Sequence, residues 1–152
     1  MKKIFLLLIA VLGIVLVVLY SKKEVVAPLQ VEQHTVACSG IEIISPIASS
    51  AVFFPLSVSG TIHPIAHPGT WIVFEGEAGS VVVLDSNGNA VSDPAILSLE
   101  GEWMNTDPKP LSVVIPALTS IPSDPSITLH FTDNDPSGEG NYHTCDIPVL
   151  LN

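Results

Sequence analysis

From Ile41 onward, Pro, Gly, Asn and Asp interrupt the chain at intervals of roughly ten residues, and no stretch keeps the apolar spacing of an amphipathic helix long enough to form one. This punctuation restricts the region to short strands joined by turns. The strands read as IEIIS (41–45), LSVSGTI (56–62), WIVFEGEA (71–78), SVVVLD (80–85), AILSLE (95–100), LSVVIP (111–116), ITLHFT (127–132) and DIPVLL (146–151). The pattern is the signature of an all-β sandwich or barrel, and seven or eight strands over this length fit one domain of immunoglobulin size. Asn87-Gly88 tolerates positive φ and predicts a tight hairpin, while Gly76 and Gly79 predict a bulge or a bend where a strand leaves its sheet.

The start of the chain obeys different rules. Ile4 to Tyr20 is a run without a charge, reaching roughly 25 Å as a helix, near the lower limit for crossing a hydrocarbon layer. Met1-Lys2-Lys3 supplies a positive leader, yet no small-x-small cleavage site follows closely, so the run reads as an uncleaved anchor. Lys22 and Lys23 match Lys2 and Lys3, so charge leaves the orientation open; a signal-like start places the N-terminus inside. The organisation expected is an anchor over 1–23 with its transmembrane helix at 4–20, a tether over 24–37 and a domain over 38–152.

Beyond Lys23 the chain has one lysine, Lys109, against fifteen acids, a formal charge of −14. Nucleic acid and anionic lipid would repel such a surface, whereas divalent cations or basic partners would be attracted.

Several residue groups raise the question of chemistry. DNDPSGEG (133–140) offers Asp133, Asp135 and Glu139 as oxygen ligands for calcium, but lacks EF-hand spacing, and each of its residue types is also what a sharp turn requires. It is expected to be a turn. DSNGN (85–89) resembles a calcium loop only superficially, with its Gly one position after the second ligand. Glu75 and Glu77, two apart on the expected strand, would point to one face as paired carboxylates do in glycosidases. His63 and His67 each precede proline, which keeps them off a common helix. Trp71 and Trp103 are expected as core anchors, with sugar stacking the alternative. No nucleophile elbow, Walker loop or dinucleotide fingerprint is present.

Taken in order, IISPIASSAVFFPLSVSGTI, WIVFEG, VVVLDSNGNAV, GEWMNTD, DNDPSGEG and IPVLL resemble the immunoglobulin-like domain of bacterial spore-germination proteins, often found beside a GerM domain. The resemblance covers about residues 41 to 151. It departs from the family at HPIAHPGT (63–70), which is longer and richer in proline, and at Pro110-Leu111. It implies a sandwich with an adhesive or scaffolding role at the cell envelope and no catalytic residues or cofactor. The expected function is a membrane-anchored, extracytoplasmic, non-catalytic module whose partner is an envelope protein or glycan. The alternative is a glycan-binding or glycan-processing domain using Trp71, Trp103 and Glu75/Glu77.

Cys38 and Cys145 complete the reading. In such sandwiches the N-terminal strand can run parallel beside the last one, and Cys38 precedes IEIIS as Cys145 precedes IPVLL. Parallel pairing of these two segments would bring the cysteines together as a disulfide in an oxidising compartment; in a cytosol they would remain two thiols.

Overall fold

The structure, a computed structural model, describes residues 36–63, 71–99, 101–105, 107–140 and 142–152. The expected transmembrane helix at 4–20, the tether up to residue 35, and His67 lie outside the described residues. Among the described residues no helix is long and apolar enough to cross a membrane.

Among the described residues nine strands form: β1 (Val36–Cys38), β2 (Ile41–Ser45), β3 (Ala51–Val52), β4 (Leu56–Ile62), β5 (Glu77–Leu84), β6 (Ala95–Ser98), β7 (Lys109–Ile115), β8 (Ser126–Thr132) and β9 (Thr144–Leu151). They make two sheets, ordered β1-β2-β4-β7 and β3-β9-β8-β5-β6. Alternation of side chains along each strand builds the layer between them. Leu56, Val58 and Ile62 face inward from β4, Val81 and Val83 from β5, and Ile127, Leu129 and Phe131 from β8. These residues belong to one buried cluster that both sheets share.

One expected strand needs correction. WIVFEGEA is not a strand: the chain turns tightly at Glu75-Gly76, and β5 begins only at Glu77 and continues through Gly79. The bend expected at the two glycines is thus a reversal at Gly76 followed by a bulge at Gly79, where the register of β5 against β6 shifts between Glu77 and Ser80. Only glycine fits that bulge, since φ is +96° and a Cβ would stand 1.9 Å from the Thr132 carbonyl oxygen. In addition, β1 and β3 are strands of three and two residues, too short to show a period.

The parallel neighbour of the last strand is also not IEIIS. Ile41 and Ile43 bury toward the core, and β2 is paired on both sides, to β1 (Cys38↔Ile41) and to β4 (Ile41↔Ile62). After Ser45 the chain crosses to the other sheet, where β3 runs parallel to the end of β9 (Ala51↔Leu150, Val52↔Leu151). Cis peptide bonds precede Pro46 and Pro55, at the two ends of this excursion. Cys38 and Cys145 do form a disulfide, with Cα atoms 5.8 Å apart. It links the edge strand of one sheet to β9 of the other, rather than two neighbours in one sheet. Closing a loop of 107 residues should stabilise the fold by about 4–5 kcal/mol in the chain-entropy model.

Candidate functional site

Where β5 begins and β8 ends, the outer face of the five-stranded sheet meets the loop that follows β8. An open cleft of about 470 Å³ lies there. Its walls come from Glu77 and Ser80 of β5, Ile96 of β6, Thr132 of β8, and Asn134, Asp135 and Tyr142 of the loop, over Asp133.

Asp133 organises this end of the molecule. It is 3% exposed, and a buried carboxylate is tolerable only when its lone pairs are taken. Oδ1 accepts the His143 N–H at 2.8 Å; Oδ2 accepts the Ile72 N–H at 2.9 Å and the His143 ring at Nδ1, 2.7 Å away. In that pair the carboxylate accepts, so Nδ1 donates. The backbone repeats the connection: Asp133 N–H donates to the His143 carbonyl and Asn134 N–H to the Ile72 carbonyl. One side chain therefore closes the loop at its own far end and fastens it to a segment 61 residues away. Asn134 adds a third tie, its amide donating to the Glu77 carbonyl.

Inside that frame Asp135 shapes the turn. Its carboxylate accepts the Ser137 hydroxyl and the backbone N–H groups of Ser137, Gly138 and Gly140. The Ser137 hydroxyl foremost, and then those N–H groups, hold its carboxyl below the usual carboxylate range. DNDPSGEG thus folds as the expected turn. Of the three calcium candidates, Asp133 is buried in the clamp, Asp135 is occupied within the turn, and Glu139 is exposed, its backbone N–H donating to the Ser137 hydroxyl. Among the described residues no three His, Cys, Asp or Glu side chains gather as a metal would require. The second Asp-rich segment also folds as expected: Asp85 accepts the N–H groups of Asn87 and Asn89 and the Asn89 side chain, and the hairpin closes from Asp85 N–H to the Asn89 carbonyl.

Beside the cleft stands the turn that replaces the expected strand. Phe74 and Glu77 exchange backbone hydrogen bonds of 2.9 and 3.0 Å, with Glu75 at φ 53° and Gly76 at φ 84°. Two successive left-handed residues make the turn whose twist suits a hairpin. Glu75 therefore sits in the turn and Glu77 at its exit, so they are not successive residues of one strand face. The Leu99 N–H donates to the Gly76 carbonyl at 2.8 Å, and the half-buried Trp103 ring lies against Gly76.

The two tryptophans differ. Trp71 is 1% exposed and donates its indole N–H to the Ala78 carbonyl at 2.7 Å; it is the expected core anchor and offers no ring face to a sugar. Trp103 is at the surface end, so the pair does not line one groove. Tyr142 brings one hydroxyl to the cleft; the other two, of Ser80 and Thr132, bond each other at 3.3 Å. Among the described residues neither is paired with a histidine, and the His143 ring is engaged by Asp133. Ser80, Ile96, Thr132 and Tyr142 belong to no sequence motif: sheet register sets Ser80 opposite Ile96 and Thr132, and the loop after β8 adds Tyr142.

No family model matches the chain, and neither does any curated protein or solved structure.

Proposed function

We propose that this chain is a membrane-anchored, extracytoplasmic, non-catalytic binding or scaffolding module of a bacterial cell envelope, carried on an immunoglobulin-like sandwich like that of spore-germination proteins. The sheet layout supports the finer fold reading. Strands β2, β4 and β7 oppose β5, β8 and β9 as the A, B, E and C, F, G strands of such domains do, and β6 extends the second sheet as in variable-type domains. The first strand is divided between the sheets as β2 and β3. The disulfide is of a kind that persists in oxidising compartments, and the uncharged run at 4–20 is of anchoring length.

The observation that carries the binding reading is the cleft itself, a recess clamped by Asp133 that keeps the large side chains of Ile96 and Tyr142 in water. The test uses the full chain in a bacterial host. Cells are treated with a membrane-permeant thiol-blocking reagent before lysis, and the membrane fraction is washed with alkaline carbonate. The reading expects Cys38 and Cys145 to be protected and the chain to resist the wash. Alkylated cysteines, or release by carbonate, would remove the anchored extracytoplasmic placement.

A further inference from the structure

Ten large apolar side chains are exposed among the described residues, and four of them belong to the 74–77 turn, to the cleft that Glu77 lines, or to the segment whose Trp103 lies against Gly76. Phe74 opens that turn and is 46% exposed; Met104, next to the Trp103 that lies against Gly76, is 70% exposed. Ile96 and Tyr142, 50% and 55% exposed, line the cleft together with Glu77. Phenylalanine, tryptophan, tyrosine and methionine are the residue types enriched in protein interfaces, and a monomer gains nothing by holding them together in water. Interleaved with them are the carboxylates of Glu75 and Glu77, on a domain (38–152) whose thirteen acids and one lysine give a formal charge of −12.

We infer that this rim and cleft bind a basic segment of a partner protein, with lysine or arginine side chains spaced by apolar ones. The inference rests on the binding reading above and names its partner's chemistry. Cationic heads meet Glu75 and Glu77 and lie over the Tyr142 and Trp103 rings, while their aliphatic stems and the apolar residues between them cover Phe74 and Met104. Charge complementarity selects this occupant, because a phosphate backbone or an anionic lipid surface would meet repulsion.

The test uses the full chain in non-ionic detergent, with empty micelles as the blank. The probes are end-blocked Lys-Val-Lys-Val-Lys, Lys-Ser-Lys-Ser-Lys and Glu-Val-Glu-Val-Glu, and chitotetraose, titrated by calorimetry and by tryptophan emission, with Trp103→Phe identifying the responding ring. Saturable binding of the Lys-Val peptide alone is expected. Phe74→Ser and Met104→Ser should each weaken it about threefold to tenfold, with an unchanged melting midpoint and an intact disulfide. Glu77→Gln should weaken it less and flatten its salt dependence. Equal binding of the Lys-Ser peptide, indifference to the rim substitutions, binding of chitotetraose alone, or no binding at millimolar peptide would each overturn the inference. Such a failure with both cysteines protected in cells removes only this partner. Alkylated cysteines with the peptide result intact remove the envelope placement instead.

Discussion

Two segments of this chain look alike on paper, DSNGN at 85–89 and DNDPSGEG at 133–140, and both fold as Asp-initiated turns. Asp85 serves only its own hairpin, bonding residues two and four positions on. In the second segment Asp135 does the equivalent local work, but Asp133 is buried and reaches Ile72 and His143. The first turn is therefore a connector and the second a wall of the cleft. Local turn chemistry is sufficient to reverse the chain; a long-range clamp is what gives a turn a fixed place in a site.

The largest expected effect comes from the covalent tie nearest that clamp. Cys145 lies two residues after His143, so replacing Cys38 and Cys145 together by Ala should cost about 2–5 kcal/mol in denaturant unfolding and should loosen the 133–143 loop before the 85–89 hairpin. A uniform loss, with both turns equally affected, would break the comparison. Next in size is Asp133→Ala, which leaves the Ile72 and His143 N–H groups and the His143 ring without their acceptor. The expected cost is about 2–4 kcal/mol; a change within experimental error would mean that the clamp carries no weight. Gly76→Ala places a side chain at φ 84° and should cost about 1–2 kcal/mol in denaturant unfolding, while the new Cβ meets the Trp103 ring at an ordinary contact distance of 3.6 Å and leaves its emission unchanged.

The smallest effect is the one that treats the two turns alike. Hydrogen bonds, those of the Asn89 side chain and backbone first, also hold the Asp85 carboxyl below its ordinary value. A carboxyl depressed in the folded state contributes stability that is complete above its unfolded value, near pH 4, and is lost as pH falls through the lower folded value. Asp85→Asn and Asp135→Asn should each remove that contribution, lowering the neutral plateau of a stability–pH curve slightly and flattening its acid limb by the same amount. A steepened acid limb in either variant would contradict the assigned direction.

How much of this was legible in the sequence depends on range. Alternation in LSVSGTI and ITLHFT marked β4 and β8 because one face of each is buried. Asn87-Gly88 marked its hairpin because a tight turn needs residues that tolerate positive φ. WIVFEGEA misled because Trp71 and Val73 continue the apolar rhythm, although they pack as irregular backbone leading into a turn. The glycines were noticed, but whether Gly76 reverses the chain or bends it depends on Phe74 pairing with Glu77. The disulfide was legible from the number and position of the cysteines, its topology was not, because β3 is a two-residue strand. Asp133 could be read as a turn residue but not as a clamp, since its partner at Ile72 is supplied by the fold.

Amide hydrogen exchange at Ile72 tests the clamp most directly, because that N–H has the Asp133 carboxylate as its acceptor. Asp133→Ala and Asp85→Ala are compared with the unaltered chain, with the Val81 and Leu129 amides as core references. The account predicts that Asp133→Ala accelerates exchange at Ile72 and His143 while the core amides keep their protection, and that Asp85→Ala accelerates only Asn87 and Asn89. Unchanged protection of Ile72 in Asp133→Ala would show that the loop holds its place without the buried carboxylate, and would contradict the account at its centre.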